Sequence, residues 1–114
     1  EVRHRNALET WSADPVTFVS DNASIAFSVD DIYAYGNNEI LVDTDPYDVF
    51  AFFSGDVNQD GTIDASDLAL IDNDASNFVG GYVVTDLTGD NFVDGTDFAI
   101  ADNNAANFVS AITP

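Results

Sequence analysis

At 114 residues the chain has room for one domain or two small ones, and an apolar fraction of 46% is enough for a core. Its net charge of −19, from 21 acids against two arginines, makes nucleic acid and anionic membrane surfaces poor partners. The lack of cysteine removes disulfides, thiol catalysis and thiolate metal sites, and no apolar run is long enough for membrane insertion.

Taken in order, residues 1–13 begin with strand-like features and end in a polar turn. A strand so close to Glu1 suggests that its neighbour is supplied by something else, or that the chain is a processed product or a piece of a longer protein. Asp14-Pro15 signals a turn, Val16–Val19 is a short apolar run, and Ser20-Asp21-Asn22 is a second turn. Ile25, Phe27 and Val29 alternate with Ala26 and Ser28, which predicts a half-buried strand. Asp30-Asp31 suits a short helical turn through Ile32, Tyr33 and Tyr35, broken by Gly36-Asn37-Asn38. Ile40 and Val42 alternate again, and Thr44-Asp45-Pro46 turns the chain. Val49 to Phe53 is apolar on both faces and reads as a covered strand. Residues 1–54 are therefore expected to form a small antiparallel, sandwich-like β unit.

A different pattern starts at Asp56. In Asp56-Val57-Asn58-Gln59-Asp60-Gly61-Thr62-Ile63-Asp64-Ala65-Ser66-Asp67, oxygen side chains stand at positions 1, 3, 5, 9 and 12, glycine at 6 and an aliphatic at 8. That is EF-hand calcium-loop spacing, with Asp in place of Glu at position 12. Alternate residues of a tight loop turn inward to offer a hard cation its six to eight oxygens, and Gly61 permits a turn at positive φ. Thirty residues on, Asp86-Leu87-Thr88-Gly89-Asp90-Asn91-Phe92-Val93-Asp94-Gly95-Thr96-Asp97 repeats the pattern, with Thr88 for Asn58 and Asn91 for Gly61. The duplication continues: Asp72, Asn73, Asn77, Phe78 and Val79 recur as Asp102, Asn103, Asn107, Phe108 and Val109.

Eight of the acids lie in the two loops, so two calcium ions would cancel four charges and favour a compact state. Each loop leads into a helix. Leu68, Ile71, Ala75 and Phe78, and likewise Phe98, Ala101, Ala105 and Phe108, fall at helical spacing and are expected to be core, with Gly80-Gly81 ending the first helix. Calcium at useful concentration is mainly extracellular, so a secreted or cell-surface protein is expected.

A duplicated loop–helix pair without an entering helix, preceded by Ser54-Gly55-Asp56-Val57-Asn58, resembles the dockerin domain over Gly55 to about Val109. Added to the β-rich unit read at 1–54, the resemblance implies a dockerin-like calcium-binding domain at 55–114, and so an α+β chain. It also implies two calcium ions, loops packed back to back and two roughly antiparallel helices. By it, Asp56, Asn58, Asp60, the Thr62 carbonyl, Asp64 and Asp67 would hold one ion. Asp86, Thr88, Asp90, the Phe92 carbonyl, Asp94 and Asp97 would hold the other, more weakly because of Thr88. The stretch His4–Ser12, with Phe53–Gly61, is also similar to C-terminal regions of large secreted or surface proteins of environmental bacteria. One departure matters. Cohesin-binding dockerins carry hydroxyl residues at loop positions 10 and 11 and basic residues along the helix. Here those positions are Ala65-Ser66 and Gly95-Thr96, and the helices carry Asp72, Asn73, Asp74 and Asp102, Asn103, Asn104.

The remaining candidates weigh less. His4, the only histidine, has no metal or triad partner and reads as a strand-surface residue. Among Glu1, Glu9 and Glu39 nothing marks a general acid held in an apolar pocket, and no catalysis is expected. Asp43, Asp45 and Asp48 read as turn residues, Asp72 and Asp102 as polar contacts, and Trp11 and the phenylalanines as core. Asn22-Ala23-Ser24 is a glycosylation sequon. The expected function is calcium-dependent stabilisation and association, through a protein partner or self-association by a β edge in residues 1–13 or a helix face. A homo-oligomeric extracellular assembly is one form of this. The alternative is a cohesin-type adaptor that docks an enzyme onto a scaffold.

Overall fold

The computed structural model describes all 114 residues. Four short strands form two separate two-stranded antiparallel sheets. β1 (Val2–His4) pairs with β2 (Ala7–Thr10), and β3 (Ile40–Asp43) pairs with β4 (Val49–Ala51). Two helices follow, α1 (Ala65–Ser76) and α2 (Gly95–Ala106), so the chain is α+β.

The stretch around β2 acts as the hub of the N-terminal half. The Leu8 amide bonds the Phe53 carbonyl and the Gly55 amide bonds Asn6, both within 2.9 Å, so the lead-in to the first loop lies against β2. Beyond β2, Trp11 and Ala13 exchange backbone bonds with Tyr35 and Tyr33. The two sheets are small, each built from one three-residue and one four-residue strand. The predicted strand at Ile25–Val29 is instead a 3-10 turn at Phe27–Val29, followed by further 3-10 turns at Asp31–Tyr33 and Tyr35–Asn37. Alternation over so few residues does not separate a strand from a tight turn. Ser20 and Asp21, at φ 51° and 62°, close a tight turn between Val19 and Asn22. β4 is only half covered, since Val49 is exposed.

Each helix begins at position 10 of its loop, before the loop is complete. Asp64 caps α1, its carboxylate accepting the Ser66 amide at 2.7 Å, and Asp67 accepts the Asp64 amide at 3.0 Å, closing a capping box. Asp94 and Asp97 repeat this on α2. The helices end earlier than expected. Phe78 and Phe108 stand at φ 53° and 56°, just past the capping residues Asn77 and Asn107. In each copy the next amide, Val79 or Val109, reaches back to Asp74 or Asn104, and the Phe amide reaches Ala75 or Ala105. These are Schellman ends, with phenylalanine in the left-handed seat that glycine usually takes. The reversal carries both rings out to solvent, at 93% and 90% exposure, so neither joins the core as its spacing predicts.

The core gathers Leu8 from β2 with Val57, Ile63, Ile71, Val93 and Ala101. Leu68, Ala75, Phe98 and Ala105 pack at its margin, as their spacing predicts. Trp11 is half-buried, and Phe18 and Phe92 are exposed.

Candidate calcium loops

Both loops adopt the same backbone. Positive φ occurs at position 4 (Gln59, 61°; Gly89, 78°) and position 6 (Gly61, 88°; Asn91, 71°). The expectation for Gly61 and Asn91 holds. The position-4 seat went unmarked because Gln59 carries no conformational signal.

That curl aims loop amides at the loop's own acids. Asp56 accepts the Asp60 and Gly61 amides, each at 3.1 Å, and Asp60 accepts Thr62 at 3.0 Å. Asp86 accepts Gly89 at 2.7 Å and Asn91 at 3.1 Å, and Asp90 accepts Phe92 at 2.9 Å. Position 12 has a further task. Asp67, fully buried, accepts the Val57 and Asn58 amides at 2.9 and 3.1 Å, while Asp97 accepts Leu87 and Thr88 at 2.8 and 2.9 Å. Each therefore ties the mouth of its loop to the first turn of its helix. Burial raises the Asp56 carboxyl above its ordinary range, helped by the nearby charges of Asp67 and Asp60 and opposed by its amide donors. Asp64 and Asp94 are lowered by the hydroxyl and amide of Ser66 and Thr96.

Nowhere do three or more Asp, Glu, His or Cys side chains already gather closely enough to hold an ion. The loop carboxylates lean on amides instead, which spaces like charges apart. The donor set still suits a hard dication. A carboxylate offers about four lone-pair sites, and these amides occupy only some of them. One oxygen each of Asp64, Asp90 and Asp94 takes no hydrogen bond, and neither do the Thr62 and Phe92 carbonyls at position 7. Asn58 and Thr88 make different hydrogen bonds. Asn58 Oδ1 accepts the Asp60 amide at 2.8 Å, whereas the Thr88 hydroxyl donates to Asp86 at 3.3 Å.

The loops are held by exchange between the two copies. Ile63, in the first loop, donates to Val109 behind α2, and Val93, in the second, donates to Val79 behind α1. Asn104 on α2 donates to the Ser54 carbonyl ahead of the first loop at 2.7 Å, and Asp74 on α1 accepts the Thr85 hydroxyl ahead of the second at 2.6 Å. The structural contacts expected at Asp72 and Asp102 thus fall two residues later, because those two acids point to solvent.

Sequence reasoning missed two anchors of the second loop. Arg5 donates to the Val83 and Asp86 carbonyls at 3.0 and 3.4 Å and lies 3.8 Å over the Tyr82 ring. Asn6 donates to the Asp86 carbonyl at 2.9 Å. Their only signal was that Arg5 is the last cation in an acidic chain. His4 is exposed on β1, and its ring hydrogen-bonds the Asn6 side chain at 2.9 Å. Asp43 folds back on the amides of Thr44 and Asp45, as a turn residue should.

A third miss is Glu39. It is 7% exposed, and neither carboxylate oxygen has a hydrogen-bond partner. Burial, with the nearby Asp31 charge, pushes its carboxyl up to about 7.

Comparison with the curated proteins and with the solved structures finds no match. The family model of the dockerin type I domain matches residues 54–104, slightly less than half of the chain. That span contains both loops, α1 and most of α2, and this segment is dockerin-like, of a kind that binds calcium and serves protein association.

Proposed function

We propose that the chain is a non-catalytic, calcium-locked association module of a secreted or cell-surface protein, with a β-rich unit at 1–54 and a dockerin-like domain at 55–114. One ion is held by Asp56, Asn58, Asp60, the Thr62 carbonyl, Asp64 and Asp67. The second is held by Asp86, Thr88, Asp90, the Phe92 carbonyl, Asp94 and Asp97. The observation that carries this is the repeated loop backbone, with left-handed residues at positions 4 and 6 and an unbonded carbonyl at position 7 in both copies. When bound, each ion supplies two positive charges among four carboxylates. The chain's own residues do the rest: amides orient the acids, and Asp67 and Asp97 transmit loop closure to the helices. Unfolded loops hold calcium poorly, so binding energy becomes folding energy. Thr88 makes the second site the weaker.

Association with a cohesin is the second reading, favoured by the family match. The acidic, Asn-rich helix faces, with no Lys or Arg, argue that the partner accepts a negative surface. Self-association through the outer edge of β1 is the other route.

Thermal melts and sedimentation velocity in millimolar calcium and in excess chelator test the proposal. Chelation should lower the melting temperature steeply. Loss of a large species would place calcium in an assembly, and a monomer throughout would leave a terminal or adaptor module. An unchanged melt would refute the calcium reading.

A further inference from the structure

Glu39 helps to line a cavity of about 260 Å³ with Phe27, Ser28, Phe50, Ala51 and Phe52, its carboxylate oxygens buried beneath that surface. Phe27 and Phe52 meet edge to face, 5.4 Å between ring centres. Both Glu39 oxygens are buried and unbonded, and the charge that reaches them, from Asp31, has the same sign. Asp31 is itself held by Asn37, at 3.1 Å. The turn carrying Phe27 and Ser28, and the stretch Phe50 to Phe52 at the end of β4, bring no charged group to the cavity.

The chain has no cation to send there. It contains no lysine. Arg3 is paired with Glu1 and Glu9, and Arg5 is committed to the second loop and Tyr82. An unpaired buried carboxylate is costly, and it gains from any external group that brings positive charge and donors. A metal ion fits badly, because it wants six to eight oxygens and this wall is mostly phenyl. An organic cation fits well. Phenyl faces attract it, its alkyl stem lies against the apolar wall, and its positive charge offsets the carboxylate buried behind that wall.

We infer that Glu39, with Phe27, Phe50 and Phe52, forms a pocket for the head of an alkylammonium or alkylguanidinium group carried by another molecule. The pocket is separate from the calcium loops, and this inference does not rest on them.

The test is an NMR titration of the full chain at pH 8 with butylammonium and butylguanidinium, following the Glu39 carboxyl carbon and the Phe27 and Phe52 rings. Saturable shifts with millimolar affinity are expected, about tenfold weaker in Glu39→Gln. Acidification below pH 7 should release the ligand as Glu39 protonates. Phe52→Leu, which keeps the carboxylate, should weaken binding less and serves if the first variant does not fold. N-acetyl-lysine amide separates the sources. Binding as tight as butylammonium supports a protein side chain, and binding of the free amines alone supports a small amine. Equal shifts in Glu39→Gln, no shifts at all, or equal shifts with magnesium would overturn the inference.

Discussion

Glu39→Gln offers a test in which the sign of the effect is as informative as its size. The folded state raises the Glu39 carboxyl from its ordinary 4.5 to about 7, chiefly by burial and secondarily through Asp31. A raised carboxyl means that the folded chain holds this proton more tightly than the unfolded chain does. The contribution is fully present below pH 4.5, where both states are protonated. It declines as pH rises, because the unfolded chain ionises first, and it is lost once pH passes about 7. At about 1.36 kcal/mol per pH unit, the gap amounts to roughly 3 kcal/mol. Glutamine keeps the shape and carries no charge, so it should not lose this amount. The assay is urea unfolding of both proteins from pH 4 to 8, followed by the single Trp11, which is half-buried beside β2. Taking the difference between variant and parent cancels the titration of the loop carboxylates. Glu39→Gln should gain on the parent by about 3 kcal/mol across that range. A difference that stays flat with pH would show that Glu39 is solvated or paired, and would refute the reasoning.

Other substitutions probe the duplicated half. Phe78→Gly and Phe108→Gly should each stabilise the chain by about 1 kcal/mol, because the left-handed seat strains a side chain whose ring buries almost nothing; destabilisation in thermal melts would mean the rings pack somewhere. Arg5→Met keeps much of the bulk but loses two bonds to carbonyls and the contact with Tyr82. It should cost about 1–3 kcal/mol and speed amide exchange in the second loop more than in the first; equal effects on both loops would contradict the anchoring role.

The C-terminal half was legible because its signals are local and doubled. Loop spacing and an apolar stripe each fix a few neighbouring residues, and the second copy repeats them. The same periodicity misled at Phe78 and Phe108. A stripe extends only as far as the helix, and these helices stop at Ser76 and Ala106 without glycine to announce the reversal. The N-terminal half was less legible because its order comes from distant partners. Phe27 alternates like a strand residue, yet it turns to meet Phe52, and β2 finds its neighbour in the chain just before the first loop. Glu39 left a faint signal: in a chain with no cation after Arg5, any acid that becomes buried has no internal partner.

Leu8→Ala asks whether the two halves fold as one. Leu8 belongs to the first half of the sequence, yet it is 1% exposed within a cluster otherwise drawn from Val57, Ile63, Ile71, Val93 and Ala101. Around it, the Leu8 amide bonds Phe53, Gln59 donates to the Ala7 carbonyl at 3.2 Å, and Asn6 holds the Asp86 carbonyl. Truncating a leucine at such a site costs about 2–5 kcal/mol, since the apolar contact is lost and the cavity only partly closes. The informative readout is where that loss appears. The Ile63 and Val93 amides, bonded to Val109 and Val79, sit at the centre of the paired loops and report the opening of the second half. If β2 supplies part of a common core, hydrogen exchange at both amides should accelerate by the factor that the global stability loses. The calcium requirement for folding should rise as well, because more binding energy is then needed to close the loops. If exchange quickens only in residues 1–54, the β-rich unit opens alone, and the loops owe their order to each other and to the ions rather than to the hairpin.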